Sequence, residues 1–168
     1  MAQSPPMAAI GTLILRLTLA SVLVAHGVHT FFGTFAGAGA GPGGLVTTAA
    51  HFTAIGLVPA TPLAVIVGVI QLAGGLFIAV GLFTRVASVA VLAYLCLGLW
   101  KENAPWGSFL NWAFDPTRGN GIEYSLILIG VLVCLALSGA GEWSADGRRA
   151  HSAAARAAGR ARARFGSR

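Results

Sequence analysis

The sequence predicts an all-α integral membrane protein, folded as a bundle of four transmembrane helices. Hydrophobic residues make up 56% of the 168 residues, charged residues make up 10%, and the mean hydropathy is +0.78. Soluble domains carry about 25% charged residues, so this composition excludes an ordinary soluble fold. Each crossing needs about 20 apolar residues, which leaves room for about four crossings in a single domain.

The four predicted helices begin or end at residues that disfavour a helix interior. The first follows Pro5 and Pro6, which suit the start of a helix. Only Thr84 and Arg85 separate the second helix from the third, and this spacing predicts a tight antiparallel hairpin. The fourth ends at Gly139, a common helix terminator. The predicted boundaries are residues 8–33, 61–83, 86–100 and 122–140.

The third predicted helix is short for a membrane crossing. Its 15 residues extend about 22 Å at 1.5 Å per residue. Arg85 and Lys101 flank it and are expected to act as snorkelling anchors. The segment is kept as a crossing because the basic residues of the chain would otherwise not segregate to one side of the membrane.

Two connections are expected on the outer side of the membrane. Residues 33–44 are rich in glycine and are not expected to hold a helix. Residues 45–55 are expected to form a short helix lying at the interface between the first two crossings. The second connection, residues 101–121, carries Trp and Phe rings that suit the headgroup zone of a bilayer.

The positions of the basic residues predict the orientation of the bundle. The side that carries both termini has five basic residues near helix ends, whereas the other side has two. They are Arg85, Arg148, Arg149, Arg156 and Arg160 on the first side, and Lys101 and Arg118 on the second. By the positive-inside rule, both termini are expected in the cytoplasm.

Arg16 is a charged residue within the first predicted helix, where a cation costs roughly 2.5 to 3.5 kcal/mol on insertion scales. Gln71 is expected to point into the bundle, because it shares a helix face with a stripe of small residues. It is expected within reach of Arg16, because the two residues lie about 20 Å and about 12 Å from the same side along their helices. The stripe consists of Ala60, Ala64, Gly68, Gly75 and Ala79. Two roles for Arg16 stay open, a structural or snorkelling role and contact with a ligand or lipid headgroup. Gln71 is neutral, so the counter-charge of Arg16 is not identified.

Other polar residues fall into two groups near the helix ends. His26 and Glu123 are expected on the outer side, either as ordinary interfacial residues or as a pair that relays protons or holds a quinone carbonyl. On the inner side, Arg85 is expected to form a structural ion pair with Glu142 and Asp146. The two cysteines are expected to be small apolar core residues. No metal site is expected, because the histidines and cysteines lack metal-ligand spacing.

The composition of the chain changes after residue 146, from mainly apolar to rich in arginine and alanine. Residues 147–168 hold seven arginines among alanines. They are predicted to form a disordered cytoplasmic tail outside a membrane domain of residues 1–146. Electrostatic attraction to anionic lipid is expected from the basic residues, and nucleic-acid binding is not.

Short motifs spaced between residues 10 and 146 follow a known pattern. They are LRL at 15–17, HG at 26–27, HF at 51–52, GLVP at 56–59, GG at 74–75, GLFTR at 81–85, GIEY at 121–124 and GAGEWSAD at 139–146. Their combination resembles the DoxX family. The resemblance implies a four-helix protein of the bacterial inner membrane, related to the small subunit of thiosulfate:quinone oxidoreductase, with relatives linked to thiol and oxidant defence. The chain departs from the pattern at Gln71, where many relatives carry glutamate.

The resulting hypothesis is an inner-membrane subunit of an assembly for quinone-linked redox chemistry or for defence against oxidative and thiol stress. Arg16, Gln71, His26 and Glu123 are expected to line its internal site; the sequence does not identify a cofactor, and a quinone is the candidate. The expected partners are the bilayer, soluble redox enzymes at the cytoplasmic face and further copies of the chain. The alternatives are a non-catalytic scaffold that recruits soluble redox enzymes and, with less support, a small-molecule transporter. The sequence does not decide whether the protein is an enzyme.

Overall fold

The computed structural model describes residues 6–35 and 41–165, with side chains placed for residues 7–35 and 41–160. These ranges contain no β-strand. The helices are α1 (Pro6–Phe32), α2 (Leu45–Ala54), α3 (Ala60–Val80), α4 (Thr84–Gly98), α5 (Glu123–Ser138) and α6 (Ala145–Phe165). Part of the glycine-rich connection, residues 36–40, and the last three residues of the predicted tail lie outside the described ranges.

Helices α1, α3, α4 and α5 pack into a bundle in which neighbours are antiparallel. α1 lies against α3, α3 against α4, and α4 against α5, and α5 also touches α1. The core between them is apolar and includes Leu19, Leu23, Ile78, Val91, Leu132 and Leu135. We call the end that holds the α3–α4 turn the hairpin end, and the end where α1 stops and α5 starts the cavity end.

Three helical segments are long and apolar enough to cross a membrane. They are Met7–Phe32, Ala60–Val80 and Thr84–Trp106. α5 is a shorter apolar helix of 16 residues, about 24 Å long. Large apolar side chains such as Ile66, Val86 and Leu137 are exposed on the outside of the bundle, as expected for helices surrounded by lipid. The all-α class is confirmed and is compatible with a membrane helical bundle, while the crossing by α5 and the side of the termini stay predictions.

The small-residue stripe of α3 is a packing face, as the sequence predicts, and two of its glycines meet α1. A Cβ atom built on Gly68 would lie 2.8 Å from the Phe31 ring, and one built on Gly75 would lie 3.0 Å from Leu23 Cβ. Glycine at these positions therefore allows the two helices to approach closely. The short helix α2 also lies where the sequence predicts one, and its Phe52 packs in a cluster with Ala64 of α3.

The third apolar helix is longer than the sequence predicts. α4 continues into a π-helical turn, Leu99–Asn103, and a 3₁₀ turn, Ala104–Trp106, so the whole segment has 23 residues. Lys101 therefore lies within the segment, and its ammonium nitrogen is 4.5 Å from the centre of the Trp100 ring. The prediction stopped at the first charge, whereas the backbone stays helical because neither Lys nor Glu disfavours a helix.

The turn between α3 and α4 lies earlier than predicted. Thr84 and Arg85 belong to the first turn of α4, and the chain reverses at residues 81–83. Gly81 adopts a left-handed conformation with φ of 71° and ends α3. Glycine adopts this conformation without steric cost, which explains why the helix stops there.

The cysteines and the tail also differ from the predictions. Cys96 and Cys134 are exposed rather than buried in the core. In a helix that is apolar on all sides, hydrophobicity does not separate the core face from the outer face. Residues 145–165 form helix α6 where a disordered tail is predicted. Alanine and arginine have high helix propensities, so the segment forms a helix without burying an apolar face.

Candidate functional site

A cavity of about 420 Å³ lies at the cavity end of the bundle. We call it the central cavity. α1, α3 and α4 form its walls, α2 and the π-helical turn lie at one side, and the start of α5 completes it. Its main polar lining residues are His26, Thr30, His51, Gln71, Tyr94 and Glu102. The volume falls in the range of about 300 to 1,000 Å³ that is typical of small-molecule sites.

A chain of hydrogen bonds crosses the wall of the cavity from α1 to α4. Thr30 Oγ1 donates to Gln71 Oε1 at 2.9 Å, and Gln71 Nε2 donates to the Tyr94 hydroxyl oxygen at 2.6 Å. Gln71 is only 4% exposed, so both ends of its amide must be satisfied within the protein. Since the Tyr94 oxygen accepts from Gln71, its own hydrogen is left to donate to an acceptor in the cavity.

A second polar group lies at the opening of the cavity. His51 Nε2 of α2 is 3.1 Å from Glu102 Oε1 of the π-helical turn, and their side chains are 52% and 39% exposed. Ser125 Oγ of α5 donates to Asn103 Oδ1 at 2.9 Å. The π-helical turn thus brings two consecutive polar residues, Glu102 and Asn103, to the cavity. Turns of this kind are frequent at functional sites.

His26 faces the same cavity from α1, one helical turn before Thr30. Its imidazole has no hydrogen-bond partner among the described side chains, residues 7–35 and 41–160, or the described backbone, so both ring nitrogens are available to a bound molecule. The structure therefore brings together His26 and Gln71, two of the four residues predicted to line an internal site.

Arg16 is placed at the hairpin end, away from Gln71. Its side chain is 1% exposed and donates four hydrogen bonds to backbone carbonyls. They run from Nε to Ile78 O at 2.9 Å, from Nη1 to Ala140 O at 2.9 Å and Trp143 O at 3.0 Å, and from Nη2 to Ala79 O at 2.6 Å. These carbonyls belong to the last turn of α3 and to the segment after α5. Ile78 O also accepts from the Gly81 N–H at 3.2 Å, whereas within the described residues Arg16 is the one donor to the other three carbonyls.

Asp146 lies close enough to Arg16 for their opposite charges to attract. Its carboxylate also accepts hydrogen bonds from the backbone N–H groups of Phe83 at 3.1 Å and Thr84 at 3.0 Å, which caps the start of α4. The carbonyl dipoles and Asp146 together supply the counter-charge that the sequence left unidentified. This arrangement favours the structural role of Arg16 over contact with a ligand.

The expected ion pair between Arg85 and Asp146 does not form. Both oxygens of Asp146 accept backbone hydrogen bonds, whereas Arg85 is exposed and lies beside Gly139. The prediction overlooked the unpaired N–H groups at the start of α4, which compete for the carboxylate. An interaction of Arg85 with Glu142 stays a prediction.

Glu123 binds the backbone of the connection between α4 and α5 and does not line the central cavity. Its carboxylate accepts a hydrogen bond from the backbone N–H of Leu110 at 3.1 Å, and its own N–H donates to Ser108 O at 3.0 Å. The predicted pairing with His26 is not formed. The next two residues, Tyr124 and Ser125, do line the cavity.

Four polar residues of the site were missed by the sequence reasoning: Thr30, His51, Tyr94 and Glu102. Tyr94 is eleven residues after the turn at residues 81–83, and Gln71 is ten residues before it. Counting residues from the turn would therefore have placed Gln71 and Tyr94 at nearly the same distance from it along their two helices. Glu102 was missed because the third helix was predicted to stop at Trp100.

Comparison with known proteins gives one match. The family model described as DoxX matches residues 11–101, more than half of the chain, which confirms the resemblance in the sequence. No curated protein and no solved structure matches. The matched region contains most of α1, all of α2 to α4 and most of the central cavity. Within the described part of the chain, no cluster of three or more His, Cys, Asp or Glu residues is suited to a metal ion.

Proposed function

Because the chain belongs to the DoxX family, we propose that it is a bacterial inner-membrane subunit that binds a quinone in the central cavity. The assembly it serves would carry out quinone-linked redox chemistry or defend against oxidative and thiol stress. Family membership and the three long apolar helices support the membrane location. The quinone and the assembly are the parts that need testing.

The Tyr94 hydroxyl is the observation that carries this proposal. A quinone headgroup is a flat ring with a carbonyl acceptor at each end. Tyr94 offers a hydrogen-bond donor from α4, held in place by Gln71 and Thr30. His26 offers a second donor from α1, which stands diagonally opposite α4 in the bundle. In this proposal each of the two donors binds one carbonyl of the ring.

The remaining walls of the cavity suit the rest of a quinone. Leu23, Val67 and Leu95 supply apolar surface beside the polar groups, and small-molecule sites commonly combine apolar walls with a few placed polar groups. Reduction of a quinone to a quinol takes up two electrons and two protons. In this proposal the electrons come from a partner redox protein, and His51 and Glu102 at the cavity opening exchange protons with the surroundings.

The proposal includes the orientation that the basic residues predict. The hairpin end, with Arg85 and α6, would face the cytoplasm, and α5 would be the fourth crossing. The central cavity would then lie in the outer half of the membrane, where α2 covers one side of it. Soluble redox enzymes would meet the chain at the hairpin end, and further copies of the chain would contact it within the membrane.

Tyr94→Phe is expected to weaken binding of a short-tailed quinone analogue about 5- to 10-fold, since one hydrogen bond contributes about 1 to 1.5 kcal/mol. The measurement is the dissociation constant of the purified protein in mild detergent. Tyr124→Phe is the matched control, because it removes a hydroxyl from the same cavity without breaking the chain from Thr30 to Tyr94. Unchanged affinity in folded Tyr94→Phe protein would contradict the proposal.

A non-catalytic scaffold is the second candidate function, and the exposed helix α6 favours it. Deletion of residues 147–168 should then release soluble redox enzymes that co-purify with the full chain, as measured by mass spectrometry of the purified complex. Unaltered co-purification would refute the scaffold. A bound quinone would favour the first proposal, and protein partners without a quinone would favour the scaffold. A small-molecule transporter has less support, because the bundle offers little room unless several chains assemble.

A further inference from the structure

α6 starts at a fixed point on the hairpin end of the bundle. The Asp146 N–H donates to Gly81 O at 2.9 Å, and the Asp146 carboxylate binds the N–H groups of Phe83 and Thr84. A further bond, from the Gly147 N–H to Ser144 Oγ at 2.8 Å, fixes the first turn. α6 therefore begins at the level where α3 ends and α4 begins, two segments that are long and apolar enough to cross a membrane.

One face of α6 is basic. Arg149, Arg156 and Arg160 are separated by seven and four residues, which places them on the same side of a helix. The Arg149 guanidinium lies 5.6 Å from the centre of the Phe83 ring. Phe83 is 57% exposed and stands at the α3–α4 turn. The face that carries Arg149 is therefore the one turned toward the end of the bundle.

The positive charge of this face is not neutralised within α6. The sole acidic residue of the helix is Asp146, and both of its oxygens already bind backbone N–H groups at the start of α4. The opposite side of α6 carries mainly alanine, which is too weakly apolar to drive insertion into the hydrocarbon. An attraction to the membrane would thus come from charge.

We propose that α6 is a surface helix whose basic face binds the anionic phospholipid headgroups of the leaflet at the hairpin end. Two observations favour lipid as the occupant. The charge of the face is complementary to anionic headgroups, and the start of the helix is held at the point where the bundle meets those headgroups. The proposal does not depend on the quinone site, because α6 and the central cavity lie at opposite ends of the bundle.

Amide hydrogen exchange of α6 in lipid nanodiscs tests this interaction. The full chain is placed in phosphatidylcholine alone or in phosphatidylcholine with phosphatidylglycerol at about 1:1, a strongly anionic surface. Exchange across residues 148–160 should be slower in the anionic discs, by about fivefold for each arginine engaged. High salt should remove the difference, because it screens the charges.

The variant Arg149→Gln/Arg156→Gln/Arg160→Gln should lose the difference between the two lipids. Lys101→Gln/Arg118→Gln is the matched control, since it removes basic residues from the other end of the bundle and should keep the difference. Exchange in α1 to α5 reports whether each variant is folded. Equal exchange of α6 in both lipids would overturn the proposal. So would slower exchange on addition of RNA or an acidic protein without any response to phosphatidylglycerol.

Discussion

Arg16→Leu is expected to destabilise the bundle by about 3 to 5 kcal/mol, the largest effect of any single substitution considered for this chain. The guanidinium pairs with four backbone carbonyls from two parts of the chain. Leucine leaves three of these buried or partly buried carbonyls without a donor, since among the described residues Ile78 O alone keeps one, the Gly81 N–H. It also removes the charge that attracts Asp146. Thermal unfolding in detergent, followed by circular dichroism, measures the loss.

Arg85→Leu is the control for this prediction. Arg85 lies at the same end of the bundle but is exposed, so its loss should change stability by no more than about 1 kcal/mol, even if the predicted pair with Glu142 forms. Folded Arg16→Leu protein, recovered at low temperature, should still bind the quinone analogue, since Arg16 does not line the central cavity. If the variant instead lost binding and kept its stability, Arg16 would belong to a ligand site.

Gly27→Ala is expected to destabilise the bundle by about 2 to 3 kcal/mol and to weaken binding in the central cavity. A Cβ atom at Gly27 would lie 2.7 Å from the backbone nitrogen of Leu72 and 2.8 Å from its Cβ atom. Because the nearest atom is backbone, the added methyl group must push α1 away from α3. His26 and Gln71 are the immediate neighbours of this contact, so the polar groups of the cavity move with it.

Gly11→Ala is the matched control on the same helix, because no heavy atom lies within 4 Å of a Cβ atom at Gly11. Replacing a helical glycine with alanine at an open position should stabilise the protein by roughly 0.5 to 1 kcal/mol. Thermal unfolding of the two variants and their affinity for the quinone analogue are compared directly. Equal stability of both variants would show that α1 and α3 are not in close contact at Gly27.

The elements that the sequence predicts well are those set by local patterns. Long apolar runs predict α1, α3 and α4, because a membrane helix satisfies its backbone hydrogen bonds within its own segment. The stripe of small residues predicts the face of α3 that meets α1, because residues four and seven apart share one side of a helix. The end of α4 and the helical state of α6 are missed, since charge and hydropathy say little about whether a backbone stays helical.

The candidate site is predicted in part. His26 and Gln71 are recognised as polar residues in apolar helices, and they do meet at one cavity. Arg16 and Glu123 are recognised for the same reason but lie elsewhere. Tyr94 completes the hydrogen-bond chain through a contact across 23 positions of the sequence. Depth along a helix is readable from residue numbers, whereas the direction of each side chain depends on how the helices rotate against one another.

The sequence by itself determined that this is an all-α membrane protein, because apolar runs, glycine positions and charge spacing act over a few helical turns. The tertiary structure alone decided what each buried polar side chain binds. Arg16 shows the physical reason, since its partners are backbone carbonyls, which every residue carries and no residue type marks. Four of them become available to one guanidinium only where the end of α3 and the segment after α5 meet beside α1.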